Sequence, residues 1–386
     1  MNARRVFFCL AIAVPAVGAQ EQGVFDRPVV LSAGGTAVGG YVEGNSNYIV
    51  ENGIGEGFSM ELRRFNIFLF SSIGSRMRFI SELEFEHGTE EIALETALID
   101  VTVNPSLVLR AGILLPPLGA FNVNHDSPRW NFIDRPLVST EIIPATLSDV
   151  GFGVHGRLEP RGPVSLSYDL YATNGLGDGV ILNDEGRTRL ASGKDEEQFA
   201  EDNNGSPAFS GRFAARHASR GELGVSFYTG IYNSYRAEGE PVDDARRVSL
   251  YALDGATTVG AVGLRGELAL AAIDVPEDLR ELFGERQLGW HIDATVPIWE
   301  PTWRGFPDVA LSADLRVEYV DFNRGEFAGT GRRIGDEIGA VVVGLSLRPV
   351  NGTVFKVNYR RQQHKDLVSN AATNVGAFQV GFATYF

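Results

Sequence analysis

The sequence predicts an all-β fold, a transmembrane antiparallel up-and-down β-barrel of about sixteen strands with an inward-folded constriction loop. Three observations predict it. Many segments of roughly ten residues alternate apolar with polar or small side chains, and period two puts the two sets on opposite faces of a strand. The connections between these segments alternate between short Pro/Gly turns and long polar loops. The stretch 375–386 places Phe378, Val380, Phe382 and Phe386 on one face and Gln379, Gly381, Ala383 and Tyr385 on the other. In water such an aromatic strand face is a liability; in an outer membrane it closes a barrel and sits in the interfacial aromatic girdle.

Taken in order, residues 1–19 combine a basic start (Arg4, Arg5), an apolar run over 6–17 and small residues before a cut after Ala19. That is the form of a secretory signal peptide, and the run is too short to span a bilayer as a helix. Residues 20–386 are expected to be one barrel domain. Cys9 lies in the leader, so the mature domain has no disulfide and depends on its fold. Strands are expected near 33–43, 61–72, 76–87, 92–103, 106–114, 150–158, 163–173 and 208–217, then near 222–232, 247–257, 262–274, 288–299, 309–321, 337–348, 353–364 and 375–386. The turns at 104–105, 159–163, 301–307 and 349–352 read as periplasmic, and 174–207, 233–246, 275–287, 322–336 and 365–374 as extracellular loops. The loop 174–207 is the most acidic and Gly-rich and is expected to be flexible. A short helical turn is expected over 277–286.

The segment 309–320 shows the alternation best. Val309, Leu311, Ala313, Leu315, Val317 and Tyr319 suit lipid, while Ser312, Asp314, Arg316 and Glu318 suit a wet lumen. By the same parity Arg64, Arg78, Arg110, Arg157, Arg212, Arg265, Arg316, Arg348 and Arg360 face inward, with Glu82, Glu84, Glu86, Asp169, Glu267, Asp293, Asp314 and Glu318. Ala340 and Gly344 are assigned to the lipid face. Rings of one sign select ions in pores. Here the signs are mixed, and selectivity stays open between an arginine filter for anions and a cation path along Glu82, Glu84 and Glu86. The net charge of −15 argues against nucleic acid as a partner.

The connection 116–150 differs from the rest. It holds Pro116, Pro117, Gly119, His125, Asp126, Arg129, Trp130, Phe132, Asp134 and Arg135, a mixture that suits a packed segment. Folded inward it would narrow the wide lumen of a large barrel. The alternative is an outer loop packed on its neighbours or on another subunit. The stretch 109–119 (LRAGILLPPLG), with 131–137 (NFIDRPL), Gly266-Glu267 and Leu347-Arg348-Pro349, resembles the phosphate-selective porins of the O and P type. The resemblance implies a sixteen-stranded barrel, a homotrimer, an inward constriction loop and basic residues along the path. It places Arg110 and Arg135 in the matching motif, with Arg129 between them. Phosphate specificity in that family goes with a lysine cluster at the constriction, whereas the lysines here are Lys194, Lys356 and Lys365, widely spread.

The expected function is a passive diffusion channel of a Gram-negative-type outer membrane for small hydrophilic solutes or ions, anions such as phosphate among them. Arg110, Arg129, Asp134, Arg135 and Arg157 are the constriction candidates, and Glu82, Glu84 and Arg316 the lumen charges. Lipid and lipopolysaccharide are the expected surroundings. A surface receptor or adhesin is one alternative. A barrel enzyme is another, but no histidine lies in a recognisable nucleophile motif. No catalytic residue, cofactor or metal site is expected.

Overall fold

A computed structural model describes residues 31–33, 35–160, 162–194, 199–367 and 371–386. The leader expected at 1–19 lies outside the described residues. Sixteen antiparallel strands form the wall: β1 (Thr36–Glu51), β2 (Ile54–Ile73), β3 (Met77–Glu86), β4 (Glu91–Asn104), β5 (Leu107–Leu114), β6 (Asp149–Leu158), β7 (Val164–Thr173) and β8 (Ala208–His217), followed by β9 (Gly221–Ile231), β10 (Arg247–Val259), β11 (Val262–Ile273), β12 (Arg286–Trp299), β13 (Ala310–Asp321), β14 (Glu337–Arg348), β15 (Thr353–Lys365) and β16 (Thr373–Tyr385). Each pairs with the next, and β16 returns to β1 in register from Val375↔Glu51 to Tyr385↔Tyr41. Closure leaves no strand edge unpaired, which a bilayer requires.

The long connections share one rim with the tight hairpins at 52–53 and 87–90; the other rim carries only turns and the ten-residue connection 300–309. In a barrel of this kind the short-turn rim is the periplasmic one. All sixteen expected strands are present, but 44–60 is corrected: β1 and β2 run on through it and meet in a hairpin at Asn52-Gly53. Both turn residues have positive φ, as a two-residue hairpin needs. The glycines there hid the alternation. Within 277–286 the short turn is Glu277–Leu279.

Phe378, Val380 and Phe382 point outward, as do Leu315, Val341 and Val343. Their lipid-facing role follows from period two. Ala340 lies opposite Glu318 and Gly344 opposite Asp314, so both face the lumen rather than lipid. Their small size leaves room inside: a Cβ on Gly344 would stand 2.1 Å from Asn358 Nδ2.

Strict parity also fails at two β-bulges. Between the pairs Glu43↔Arg64 and Gly44↔Leu62, Arg63 is the extra residue. Between Glu82↔Thr96 and Leu83↔Leu94, the extra residue is Glu95. A bulge re-aims one side chain, and both of these turn inward to the segment between β5 and β6.

The lumen is not uniformly wet. In the extracellular half of β9–β14 the inward side chains are apolar, among them Tyr228, Leu250, Ala252, Ala269, Ala271, Ile273, Val320 and Ile338. Val138, Ile142 and Ile143 from the connection after β5 pack onto them, together with Leu176, Val180, Ile181 and Leu190 from 174–207. That acidic loop therefore folds inward through its apolar residues; it does not simply stand off in solvent. Alternation alone predicts a wet inner face, whereas apolar residues at inward positions form a dry core inside the barrel.

Candidate functional site

The segment 115–148 crosses the lumen, and its path begins in local backbone chemistry. Gly119 has φ +62°, a conformation that favours glycine. Its N–H donates to Ser226 Oγ at 2.9 Å, and a Cβ there would lie 2.1 Å from the Glu267 carboxylate. Glu267 on β11 then accepts from Ala120 N (2.8 Å), Phe121 N (3.3 Å) and Ser139 Oγ (2.9 Å). A one-and-a-half-turn helical piece, Val138–Ile142, rests on Gly289 of β12, where any side chain would collide with Val138 and Ile142.

The rest of the loop is tied to the wall by polar contacts. Lys356 on β15 donates to the carbonyls of Ser127 (3.1 Å) and Phe132 (3.0 Å), and Asn358 accepts from Ile133 N (2.8 Å). Glu318 accepts from Leu137 N at 2.8 Å and pairs with Arg360 at 2.9 Å. Glu95, placed by its bulge, accepts from Thr146 and Ser148. Ser127 donates to Glu43.

Asp134 is the node at mid-height. Its carboxylate meets Arg63 Nη1 at 3.1 Å, Gln379 Nε2 at 2.9 Å and Arg360 Nη1 at 3.9 Å, and its side chain remains 30 % exposed. Burial raises the affinity of this carboxyl for a proton. Arg63, Arg360 and the Gln379 hydrogen bond outweigh that and hold it below the ordinary carboxylate range. Arg135 is half-buried beside Glu84 and Glu86, and its Nε and Nη2 make no hydrogen bond. Arg316 is fully buried: it grips Asp293 with two bonds of 2.7 and 2.8 Å, donates to the Asp134 carbonyl at 2.9 Å and stacks over Phe132. Bidentate pairing of this kind gives position as well as energy.

On the short-turn side of the loop Arg129, which stands 3.7 Å from Asp126 Oδ2, gathers with Arg265 and Arg348. Arg129 donates to Tyr385 OH at 2.9 Å and to Asn124 Oδ1 at 2.8 Å. Arg348 donates to the Pro128 carbonyl at 2.7 Å and to Asn131. Arg265 lies over the Trp130 ring, 4.6 Å from its centroid, within electrostatic range of Arg129 and Arg348. Among the described residues no carboxylate lies within ion-pair distance of Arg265 or Arg348.

The residues expected at the constriction thus divide. Arg129, Asp134 and Arg135 lie on the loop, and Arg316 holds it. Arg110 is on the wall, bonded to Asp100 at 2.8 and 3.0 Å and to Tyr171. Arg157 is at the short-turn rim, 49 % exposed beside Glu159, and is not brought to the loop. Glu82 and Glu84 are buried under the loop, where Asn66 donates to both; Arg64 contacts Glu43, Glu84 and Glu86. They form no open row. Sequence reasoning missed Arg63 and Glu95. The signal was present in Arg63-Arg64: strict alternation would put one arginine in lipid, at a cost of about 2–4 kcal/mol near the bilayer midplane, so a bulge is the cheaper solution.

Comparison with known proteins fits this geometry. No protein-family model matches the chain. An uncharacterised protein of Aquifex aeolicus is 27 % identical over 363 residues, covering 87 % of this chain and 78 % of that one. The outer membrane channel DcaP of Acinetobacter baumannii is similar in structure at TM-score 0.58 and 12 % identity, over 93 % of this chain and 99 % of that one. The anion-selective porin from Comamonas acidovorans is similar at TM-score 0.57 and 12 % identity, over 91 % and 99 %. The chain has the fold of these outer-membrane porins.

Proposed function

We propose that this barrel is a passive, non-enzymatic diffusion channel that prefers small anionic solutes, inorganic phosphate among them. The observation that carries the reading is the loop 115–148 seated across the lumen, with Arg129, Arg265 and Arg348 gathered on its short-turn side and, among the described residues, no carboxylate within ion-pair distance of the last two. Arginines without an acidic partner at a constriction attract anions and repel cations. The glutamates that would favour cations are engaged by Arg64 and Asn66 under the loop. The fold likeness to porins, one of them described as anion-selective, supports the same reading. Membership of the phosphate-selective O and P type family, and the homotrimer it implies, belong to this proposal and rest on the sequence resemblance. So do a leader at 1–19 and a setting in lipid and lipopolysaccharide.

The test is a planar bilayer measurement on the purified, heat-modifiable protein. The expected result is discrete conductance steps and, across a potassium chloride gradient, a reversal potential of anion sign. Folded protein without steps would overturn the channel, and a cation-selective potential would overturn the arginine filter. Cross-linking of the detergent-extracted protein tests the trimer.

A further inference from the structure

Three ligating side chains converge where the loop meets β3. Glu82 and Glu84 project inward from alternate positions of β3, and His125 reaches them from the loop. One ligand atom of each lies within 4.8 Å of the other two, and all three residues are buried. His125 Nε2 stands 3.6 Å from Glu82 Oε1 and 3.9 Å from Asp126 Oδ1. Two ligands on one zinc ion, each at about 2.0–2.1 Å in tetrahedral geometry, lie roughly 3.3 Å apart. The first pair is already near that separation.

The histidine is oriented for this role. Its Nδ1 faces the Asn122 carbonyl at 2.9 Å. An acceptor there holds a proton on Nδ1 and turns the lone pair of Nε2 toward the carboxylates, as for a ligating histidine. Among the described residues Nε2 has no partner within hydrogen-bond distance, although the residue is only 1 % exposed. A lone pair facing a carboxylate is repulsive, so a proton or a metal ion must lie between them. Other buried polar atoms without partners gather at the same place: Tyr41 OH, Asn66 Oδ1 and Thr96 Oγ1. Thr96 lies opposite Glu82, Asn66 opposite Glu84, and Tyr41 opposite Asn66.

The charge points the same way. Arg64 contacts Glu43, Glu84 and Glu86, Arg135 stands beside Glu84 and Glu86, and Asn66, which is neutral, donates to Glu82 and Glu84, so two guanidiniums face four carboxylates. Buried carboxylates are costly without a compensating cation. One imidazole with carboxylate oxygens suits Zn²⁺ and its neighbours in the first transition row, whereas Ca²⁺ and Mg²⁺ take oxygen ligands. We infer that Glu82, Glu84 and His125 bind one divalent transition-metal ion, Zn²⁺ by its chemistry, which clamps the constriction loop to β3.

The test is isothermal titration of zinc chloride into the folded, chelator-stripped protein. The expected result is one ion per protomer, with affinity weakened roughly a hundredfold or more in His125→Ala and in Glu82→Gln and unchanged in His87→Ala, which alters an exposed His–Glu pair elsewhere. Absence of binding to the wild type would mean that a proton occupies the site and would overturn the inference. Undiminished binding by His125→Ala, or loss of binding in His87→Ala, would also overturn it. Should the first two variants fail to fold, zinc-edge X-ray absorption of the wild type decides. An imidazole in a shell at about 2.0–2.1 Å is expected, and a shell without imidazole is fatal to the inference.

Discussion

One loop is held by two sectors of the same lumen in opposite ways. In the extracellular half of β9–β14 the contact is apolar: Val138, Ile142 and Ile143 pack against Leu250, Ala271, Val320 and their neighbours. On the side of β1–β4 and β13–β16 it is polar, through Glu43, Arg63, Glu95, Arg316, Lys356, Asn358 and Gln379. Apolar burial is non-directional and supplies most of the free energy. Charge-assisted hydrogen bonds contribute less net energy but fix atoms to within a few tenths of an ångström. The dry sector therefore anchors the loop, and the charged sector aims it. Solvent reaches the charged sector at Asp134, whose side chain is 30 % exposed; the proposed channel would run there.

This division can be broken from either side. Replacing Ile142 with Asp puts an unpaired charge in the dry core, at a cost of roughly 3–5 kcal/mol. The loop should leave its seat, the temperature at which gel mobility changes should fall, and single-channel conductance should rise. Arg63→Ala removes the contact to Asp134 together with a bond to the Ile133 carbonyl and the pairing with Glu61; about 1.5–3 kcal/mol is expected for the charge-assisted bond to Asp134. Stability in urea titration should fall by less than in Ile142→Asp; an equal fall would erase the distinction between the sectors.

Arg265→Glu changes a charge on the short-turn side. It should move the reversal potential toward cations, with urea stability nearly constant. A smaller effect comes from pH. Asp134 binds its proton more weakly in the folded protein than in the unfolded chain, so its stabilising contribution is complete above the unfolded pKa of about 3.9 and is lost as pH falls through the lower folded value. With respect to this group, the reversal potential should be flat from about pH 8 to about pH 5 and become more anion-selective only below about pH 4. Asp134→Asn should show the acid value at neutral pH. The smallest effect is expected for Arg157→Ala. That guanidinium is paired in solvent beside Glu159, and the change in stability should stay within about 0.5 kcal/mol with selectivity unaltered.

Much of this could be read in the sequence, with particular exceptions. Strand identity was legible because lipid on one side and water or loop on the other enforce period two, as in 309–320. It failed at 44–60, where glycines carry no facing information. It also failed at Arg63 and Glu95, because a bulge is a pairing event between two strands and leaves little mark on either alone. The connection 116–150 stood out by its mix of Trp, Pro, Arg and Asp, so its inward fold could be anticipated. Its partners could not, since Glu267, Lys356 and Gln379 lie 146, 224 and 245 residues from Phe121, Phe132 and Asp134, contacts that only closure creates.

By itself the sequence determined an antiparallel barrel of about sixteen strands and marked the connection 116–150 as unlike the rest. These follow from short-range patterns: alternation, turn residues and composition. Only the tertiary structure decided which inward charges are engaged and which stay available to a solute. Arg316 and Arg265 have the same parity and the same chemistry, yet one is locked to Asp293 while the other lies over Trp130 with, among the described residues, no carboxylate at ion-pair distance. That difference arises because closing the barrel and seating the loop set distances between residues far apart in the chain, and electrostatic interaction depends on those distances.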